Sequence, residues 1–427
     1  MSYKKQNFTN GQILKAEHLN HIEDGVLNSL EQNAIVCTKS GEVVSITDAS
    51  NQPFYGLSIY GKTTQDGTPT PENPVELKNA VVSTISIVGT NFLPYPHAST
   101  SKVQGGITFT DNGDGTVTVN GTATERVIYY VTYGDFARAL ELKAGVTYHL
   151  SGCPNGGSTS SYFLSLTEFT NESSMKAVYD YGSGTNWLTR SECRYAVKIE
   201  VLSGVTISNL TFKPMLNKGT TALPYEPYKG GTATLAQPVT LSGIPVSSGG
   251  NYTDANGQQW VCDEMDFARG VYVQRVGKVD MGTLGWTYSG GILLARVSGM
   301  LENSRVLCPK YKGASSVYNL LNYPPLILAF CSHWADCVNV NDTTYTDAAT
   351  FKAAMSGVML YYELATPVET PISETDLTAY RTLHTNKPNT TVYTDSNAGL
   401  TVEYAADPKI YIDNKFTELA TAIVNNA

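Results

Sequence analysis

The sequence predicts a mainly β protein, built of modular β-sandwich or jelly-roll domains and flanked by short N- and C-terminal oligomerisation helices. Short runs that alternate apolar and polar residues recur along most of the chain, and turn-forming residues separate them. Residues 107–110 and 116–119 are typical, with residues 111–115 (DNGDG) as the hairpin turn between them. A helical period of apolar residues is evident only near the two ends and briefly at 347–355. Many short strands with little helix indicate sandwiches or jelly rolls.

The composition limits the number of domains and the kind of partner. A chain of 427 residues is too long for one ordinary core and suits two or three domains. Charged residues make up only 16% of it, so neutral polar groups must cover much of the surface. The net charge is −9 and no Lys/Arg cluster is present, which argues against nucleic acid. Uncharged glycans and neighbouring protein subunits are the partners that such a surface suits.

The sequence contains no signal for export or membrane insertion. The first residues are polar and lack the apolar region of a signal peptide, and no apolar run is long enough to span a membrane. We therefore expect no membrane partner and assembly in a cytoplasm.

The first segment, residues 1–35, is predicted to carry a helix over about 16–33. Its apolar residues recur at spacings of three and four and form one stripe, consisting of Leu19, Ile22, Val26 and Leu30. An isolated helix of this length is marginal in water. The stripe must therefore pack against the adjoining β domain or against copies of itself.

The middle of the chain is predicted to be β structure throughout. Residues 36–90 form a β segment with a proline-rich loop at 61–74, and residues 91–230 form a single sandwich. Residues 231–365 form a second β domain, with a hairpin around Asn256 and Gly257 and one short helix capped by Asp347. Residues 366–406 are rich in threonine and proline and are predicted to be extended.

The last segment, residues 407–427, is predicted to be a coiled-coil helix. Asp407 can cap it, and Pro408 suits the first helical position. Four apolar residues fall on an a/d heptad seam: Ile412, Phe416, Leu419 and Ile423. Two heptads do not hold a coiled coil alone, but they can align chains that a β domain has already gathered. Together with the N-terminal stripe they predict a homo-oligomer, with a trimer as the expected number.

Several segments resemble known proteins. Residues 8–25, 60–74, 243–270 and 384–416 resemble parts of minor structural and tail proteins of phages that infect Gram-positive bacteria. Residues 210–228 are similar to the closing strand of carbohydrate-binding-like jelly rolls in such proteins. The resemblance implies a virion protein of tail-fibre or baseplate type that takes part in host adsorption and contacts other virion proteins. It also implies that residues 91–230 are an insertion, so that 36–90 and 231–365 can pack together.

Aromatic side chains in residues 91–230 are the candidates for binding host-surface glycan, because flat rings can stack on sugar faces. The aromatic candidates are Trp187, Tyr181, Tyr179 and Tyr162. Asn186, beside Trp187, is a candidate for hydrogen bonds to sugar hydroxyls. Trp187 follows a run of small polar residues, which favours an exposed loop. The alternative, in which Trp187 begins a strand and is buried, stays open. A second function class, a purely structural appendage such as a head fibre, decoration protein or baseplate spacer, also stays open.

The sequence gives no support for catalysis, a metal or a cofactor. Phosphate-binding loops and the common hydrolase motifs are absent, and no long β-helix repeat of a polymer-degrading enzyme is present. Cys331, His333 and Cys337 lack a fourth zinc ligand nearby. Residues 111–115 lack the downstream glutamate of a calcium loop, and their asparagine and glycines suit a hairpin turn. A structural calcium, which carbohydrate-binding jelly rolls often hold, stays open as the alternative. We expect a binding protein and not an enzyme; a surface-polymer depolymerase is the weaker alternative.

Overall fold

The computed structural model describes residues 35–47, 54–170, 173–191, 193–289, 291–313, 325–330, 336–386 and 389–425. Strands account for 49% of the chain and helices for 8%, which confirms the mainly β class. The predicted N-terminal helix, with Leu19, Ile22, Val26 and Leu30, lies outside the described residues.

The described residues divide into two compact units. The larger unit consists of Met1–Ile87, Thr232–Thr385 and Val392–Ala427, and the smaller unit consists of Val88–Gly231 with Asn386–Thr391. Along the sequence, the smaller unit is therefore an insertion in the larger one. Its limits lie close to the predicted 91–230.

The strands, numbered along the chain, begin with β1 (Ile35–Gly41), β2 (Val43–Ile46), β3 (Gly56–Tyr60) and β4 (Ala80–Val88). They continue with β5 (Lys102–Gln104), β6 (Ile107–Asp111), β7 (Val117–Thr122), β8 (Val127–Tyr130), β9 (Thr147–Ser151), β10 (Tyr162–Thr170), β11 (Ser173–Asp180), β12 (Thr185–Leu188), β13 (Arg194–Val201), β14 (Thr206–Phe212) and β15 (Met215–Lys218).

The remaining strands are β16 (Gly230–Leu241), β17 (Gly243–Val246), β18 (Tyr252–Thr253), β19 (Gln259–Cys262), β20 (Glu264–Asp266), β21 (Val271–Asp280), β22 (Thr287–Ser289), β23 (Ile292–Arg296), β24 (Val306–Leu307), β25 (Lys312–Gly313), β26 (Ile327–Phe330), β27 (Cys337–Val340), β28 (Met359–Pro371), β29 (Thr390–Thr394) and β30 (Gly399–Ala406). The helices are the 3-10 turn Met281–Thr283 and the α-helices α1 (Ala348–Ala354), α2 (Glu374–Tyr380) and α3 (Pro408–Asn425).

The larger unit has two main hydrophobic cores. Its seven-stranded antiparallel sheet has the order β1-β30-β3-β20-β21-β28-β24, and a four-stranded sheet has the order β16-β4-β29-β2. Apolar residues of both sheets, among them Ile59, Ile85 and Leu400, form one buried cluster with Tyr380 of α2. A second buried cluster gathers around Phe351 of α1, beside the sheet β22-β23-β27-β26-β25.

The smaller unit is a sandwich of short sheets with the orders β11-β10-β13-β8, β12-β9-β15 and β14-β7-β6-β5. Aromatic pairs join the sheets: the Phe109 and Tyr129 ring centroids lie 5.4 Å apart, and those of Tyr162 and Phe212 lie 5.8 Å apart. Phe109, Tyr129 and Phe212 are fully buried. Burial of a side chain of this size contributes about 1.5–3 kcal/mol, so these rings are a large part of what holds the sandwich together.

Several sequence predictions are confirmed at the level of elements. The hairpin at 107–119 forms with Thr110 opposite Thr118, and buried residues alternate with exposed ones along β6. Asp347 caps α1 by accepting a hydrogen bond from the Thr350 amide. The C-terminal helix starts at Pro408, and the Asp407 carboxylate accepts a bond from the Lys409 amide at 2.8 Å.

Residues 366–406, predicted to be an extended β segment, contain the end of β28 together with β29 and β30, but also a helix that was not predicted. The predicted start of the segment falls inside β28, which pairs with β21 on both sides of a bulge. The segment also contains α2, where Ser373 caps the helix by accepting from the Asp376 amide and two acidic residues lie in the first turn. Packing of Tyr380 into the large core stabilises this short helix, although the surrounding threonines and prolines favour extended backbone.

Candidate functional site

The outer face of the sheet β11-β10-β13-β8 carries a continuous line of polar and aromatic side chains. Tyr179 lies opposite Ser165, Ser165 opposite Lys198, and Lys198 opposite Tyr130. Directly opposed residues in an antiparallel sheet share a face, so these four residues form one row across four strands. We call it the polar row. The alternate residues of the same strands, such as Leu164 and Val197, point into the core.

A buried carboxylate lies beside the polar row. Glu200 is opposite Phe163 and is almost completely buried. The Ser165 hydroxyl donates to its Oε1 at 2.6 Å, and Arg126 Nε donates to its Oε2 at 2.9 Å. A buried charge is costly unless it is paired and hydrogen-bonded, and here both conditions hold. Burial lowers the pKa of the neighbouring Lys198, an effect that the charge of Glu200 opposes.

Three aromatic rings lie next to the polar row. Phe163 is buried, and its ring meets those of Tyr179 and Tyr181 edge-on at centroid distances of 5.2 and 5.7 Å. The two tyrosine rings are inclined by only 21° to each other, with centroids 6.0 Å apart. Tyr179 is exposed and Tyr181 half-buried. We call these three residues the aromatic cluster; it offers two nearly parallel rings on a fixed apolar support.

The turn that presents Tyr181 is held by Asp180. This carboxylate is fully buried and accepts backbone N–H bonds from Cys153 at 2.9 Å and from Gly182 and Gly184 at 2.7 Å. Gly184 has a positive φ of +75°, and a Cβ there would lie 2.2 Å from His149 Nε2. The turn therefore needs glycine at this position, and its shape fixes Tyr181 beside Tyr179.

The other end of the outer face is covered by the loop that follows β8. Ala139 and Phe136 of this loop pack against Phe169 and Ala196. At the start of the loop, Gly134 lies so close to the Tyr130 ring that a Cβ would clash with it at 2.3 Å. Within the polar row, Ser165 is buried, Lys198 and Tyr130 are half-buried, and Tyr179 is exposed.

The five residues predicted to bind glycan are not brought together. Tyr179 and Tyr181 are neighbours in the aromatic cluster. Asn186 is exposed, but its Oδ1 lies 2.7 Å from His149 Nδ1. Tyr162 is buried, and its hydroxyl donates to the Asn155 carbonyl at 2.8 Å.

The placement of Trp187 in a loop is wrong. Trp187 lies in β12 opposite Tyr148 of β9 and is only 7% exposed, with Lys176 Nζ 5.2 Å from its ring centroid. The structure has the alternative placement, in which Trp187 lies in a strand and its ring is buried. The glycines and serine before it form the turn held by Asp180, and the strand begins directly after them, so Trp187 is unavailable as a stacking platform.

Sequence reasoning missed Phe163, Ser165, Lys198 and the Arg126–Glu200 pair. A signal for them exists in the alternation of strands β10 and β13, where polar residues occupy every second position beside apolar ones. This alternation shows that each strand has a polar face, but it does not show which strands lie side by side. The polar row could therefore not be predicted from the sequence.

The acidic turn at 111–115 is explained by its own hydrogen bonds. Asp111 Oδ1 accepts from the Gly113 amide at 3.0 Å and from the Tyr95 hydroxyl at 3.2 Å. Asp114 Oδ1 accepts from the amide and the hydroxyl of Thr116. The carboxylates thus stabilise the hairpin turn, which the sequence predicted from the asparagine and glycines of this segment.

Within the described residues, no three His, Cys, Asp or Glu side chains come together in a way that could hold a metal ion. His333 and Cys331 lie outside that range. None of the helices in the described part of the chain has the length and apolar character of a membrane span.

Comparisons with known proteins identify no family. No family model matches the chain, and no curated protein matches it. One solved structure, of the infectious bursal disease virus Gx strain, is similar over 89% of this chain and 83% of that chain. The identity is 8% and the TM-score 0.09, so the similarity carries no argument about fold or function.

Proposed function

We propose that this chain is a bacteriophage virion protein of tail-fibre or baseplate type, which binds host-surface glycan at the aromatic cluster. The observation that supports the glycan site is the pair of nearly parallel rings of Tyr179 and Tyr181 on buried Phe163. The resemblance of residues 8–25, 60–74, 243–270 and 384–416 to phage structural proteins supports the virion role. Both observations support a binding function.

The aromatic cluster suits a sugar for physical reasons. One face of a pyranose presents C–H groups that pack on a flat ring, while its hydroxyls need hydrogen-bond partners at the side. Burial raises the pKa of Tyr181, so its hydroxyl stays neutral near pH 7 and can both donate and accept. Fixed rings lose little conformational freedom on binding, which lowers the entropic cost.

The charges around the cluster favour an uncharged ligand. Arg126 and Glu200 neutralise each other, and only Lys198 adds a charge to the polar row. The low charge content of the whole chain agrees with this, since 16% of residues are charged. A neutral bacterial surface polysaccharide is the ligand class that this surface fits best.

The test compares two tyrosines of equal exposure in the full-length protein. Tyr179 is 42% exposed in the aromatic cluster, and Tyr288 is 41% exposed in β22 of the larger unit. We expect Tyr179→Ala to weaken binding to immobilised bacterial oligosaccharides at least tenfold, about 1.4 kcal/mol, because it removes one stacking ring. Tyr288→Ala should leave binding unchanged. Both variants should keep the wild-type melting temperature within a few degrees.

The outcomes separate the two function classes. If the wild-type protein binds no oligosaccharide on an array of bacterial surface glycans, the chain is a purely structural appendage. If it binds and both variants weaken binding equally, the glycan site lies elsewhere.

Assembly into a homotrimer in the virion is the second part of the proposal. On α3, Ile412 is 44% and Phe416 is 68% exposed. Two large apolar side chains one turn apart on a solvent-exposed helix favour contact with another copy of the helix or with another virion protein. Localisation in the virion follows from the same proposal.

A further inference from the structure

The larger unit contains a cleft of about 510 Å³. Its walls include the proline-rich loop, from Thr63 to Pro69, together with Pro245 and Trp260. Arg305, Leu307 and Lys312 line it as well. These walls are the two segments, 60–74 and 243–270, that the sequence analysis singled out and that the proposed function leaves without a role.

Hydrogen bonds fix the walls of the cleft. The Thr63 amide donates to the Gly243 carbonyl at 3.1 Å, and the Gly243 amide donates back to Thr63 Oγ1 at 3.0 Å. Gln65 Nε2 donates to the carbonyls of Val75 and Cys308, which attaches the loop to the end of β24. The cleft is therefore formed before any ligand binds, which reduces the entropic cost of binding.

Arg305 is the unusual group in this cleft. Within the described residues, its only hydrogen bond runs from Nη1 to the Pro245 carbonyl at 3.0 Å, and no carboxylate pairs with it. Its Nε is buried without a hydrogen-bond partner. Burial lowers the pKa of Arg305, which reports the cost of removing this cation from water. A guanidinium has five N–H donors in a planar fork, so most of this donor capacity is unused.

The charges near Arg305 leave the cleft positive. Lys312 lines it, is exposed and has no ion pair in the described part of the chain. Asp66 also lines it, but Asp66 pairs with Lys78 at 3.0 Å. Lys62, whose Nζ lies 6.0 Å from the Trp260 ring centroid, pairs with Glu42. A locally positive cleft in a chain of net charge −9 indicates that it takes an anion.

Trp260 supplies an apolar surface next to this charge. Its ring is half-exposed, and its Nε1 donates to Asp254 Oδ2 at 3.0 Å, which fixes the orientation of the ring. The volume of the cleft suits one or two sugar-sized groups. A ligand with an anionic oxygen group and a small carbon framework satisfies both features.

We propose that this cleft binds an acidic sugar or polyol, with its carboxylate or phosphate on Arg305 and Lys312 and its carbon framework on Trp260. The site is separate from the aromatic cluster and takes a charged ligand, whereas the aromatic cluster takes a neutral one.

Isothermal titration of the full-length protein tests this with four probes: digalacturonate, glycerol 3-phosphate, inorganic phosphate and uncharged galactose. We expect the two organic anions to bind and galactose not to bind, and we expect 0.5 M salt to weaken binding by screening the exposed Lys312. Arg305→Met should lower the affinity for the anions at least tenfold. Arg381→Met serves as the control and should have no effect. Arg381 is an exposed arginine at the C-terminal end of α2.

The melting temperature of Arg305→Met distinguishes a ligand-binding role of Arg305 from a structural one. Because its cation is desolvated and unpaired, Arg305→Met should leave the melting temperature unchanged or raise it. Trp260→Leu should lower the affinity for digalacturonate and glycerol 3-phosphate at least threefold but leave the affinity for inorganic phosphate unchanged. Binding of none of the anions, equal binding of galactose, or anion binding that survives in Arg305→Met would each overturn the proposal. The glycan test with Tyr179→Ala is independent of all these results.

Discussion

At the scale of single residues, burial and not residue type decides which side chains can act. Trp187 and Tyr162 have the large rings expected of a sugar platform, but the strands place both in the interior. Tyr179 and Tyr181 are less distinctive in the sequence, yet they lie at the edge of the sheet. Glu200 and Asp180 are buried acids whose hydrogen bonds shape the surface around these tyrosines.

Glu363 of β28 illustrates a residue whose charge opposes folding. Burial raises its pKa above the ordinary value of 4.5. The folded protein therefore prefers the protonated form, and the resulting stability is fully present below the unfolded-state pKa and is lost as the pH rises through the folded-state pKa. Glu363→Gln should raise the melting temperature at pH 7, by roughly 1–2 °C for a half-exposed side chain.

Calorimetry between pH 3.5 and 8 checks the sign of this effect. The difference between Glu363→Gln and wild type should disappear below pH 4.5, the ordinary pKa of the group. Glu302→Gln, at an exposed position of the same unit, is the control. A lower melting temperature for Glu363→Gln at pH 7 would show that the carboxylate makes a favourable interaction in the folded state.

At the scale of elements, caps and alternation determine where helices and strands form. Asp347 and Asp407 cap α1 and α3 as their sequences predict. The helix α2 was missed because its signal, Ser373 with Glu374 and Asp376, is short and lies among residues that favour extended structure. Its stability comes from the contact of Tyr380 with Phe267, whose ring centroids are 4.7 Å apart.

The exposed apolar residues of α3 lead to a prediction about assembly. Phe416→Ser should convert the expected trimer to single chains of 46.2 kDa, because Phe416 is 68% exposed and a seam of only two heptads cannot lose such a large apolar side chain. Multi-angle light scattering at micromolar concentration measures this directly. Lys415→Ser, one position away, is the control and should remain trimeric. A wild-type protein that is already monomeric contradicts the prediction.

At the scale of the whole molecule, one unit is inserted into the sequence of another. The insertion begins and ends at one place, since the Gly89 amide donates to the Lys229 carbonyl at 2.6 Å. Its own sheets and buried aromatic pairs form a core that needs no residue from outside, apart from the short piece Asn386–Thr391. From that piece, Asn389 Nδ2 donates to Thr90 Oγ1 at 3.4 Å.

Residues 88–231 expressed alone should therefore fold and melt in one cooperative transition. Differential scanning calorimetry measures it, with agreement between the calorimetric and van't Hoff enthalpies as the criterion. A gradual, non-cooperative melt would show that the insertion depends on the rest of the chain. The isolated unit should also keep the near-parallel arrangement of Tyr179 and Tyr181, because Asp180 and Phe163 belong to it.

The sequence by itself determined the β class, the hairpin at 107–119, and the caps of α1 and α3. These features depend on neighbours within a few residues: alternation, turn glycines and capping side chains act locally. Only the tertiary structure decided which strands lie side by side. It placed Tyr179, Ser165, Lys198 and Tyr130 in one row, buried Trp187, and brought the proline-rich loop and Trp260 to the same cleft. Each of these depends on pairing between distant residues, and many registers satisfy the same alternating pattern.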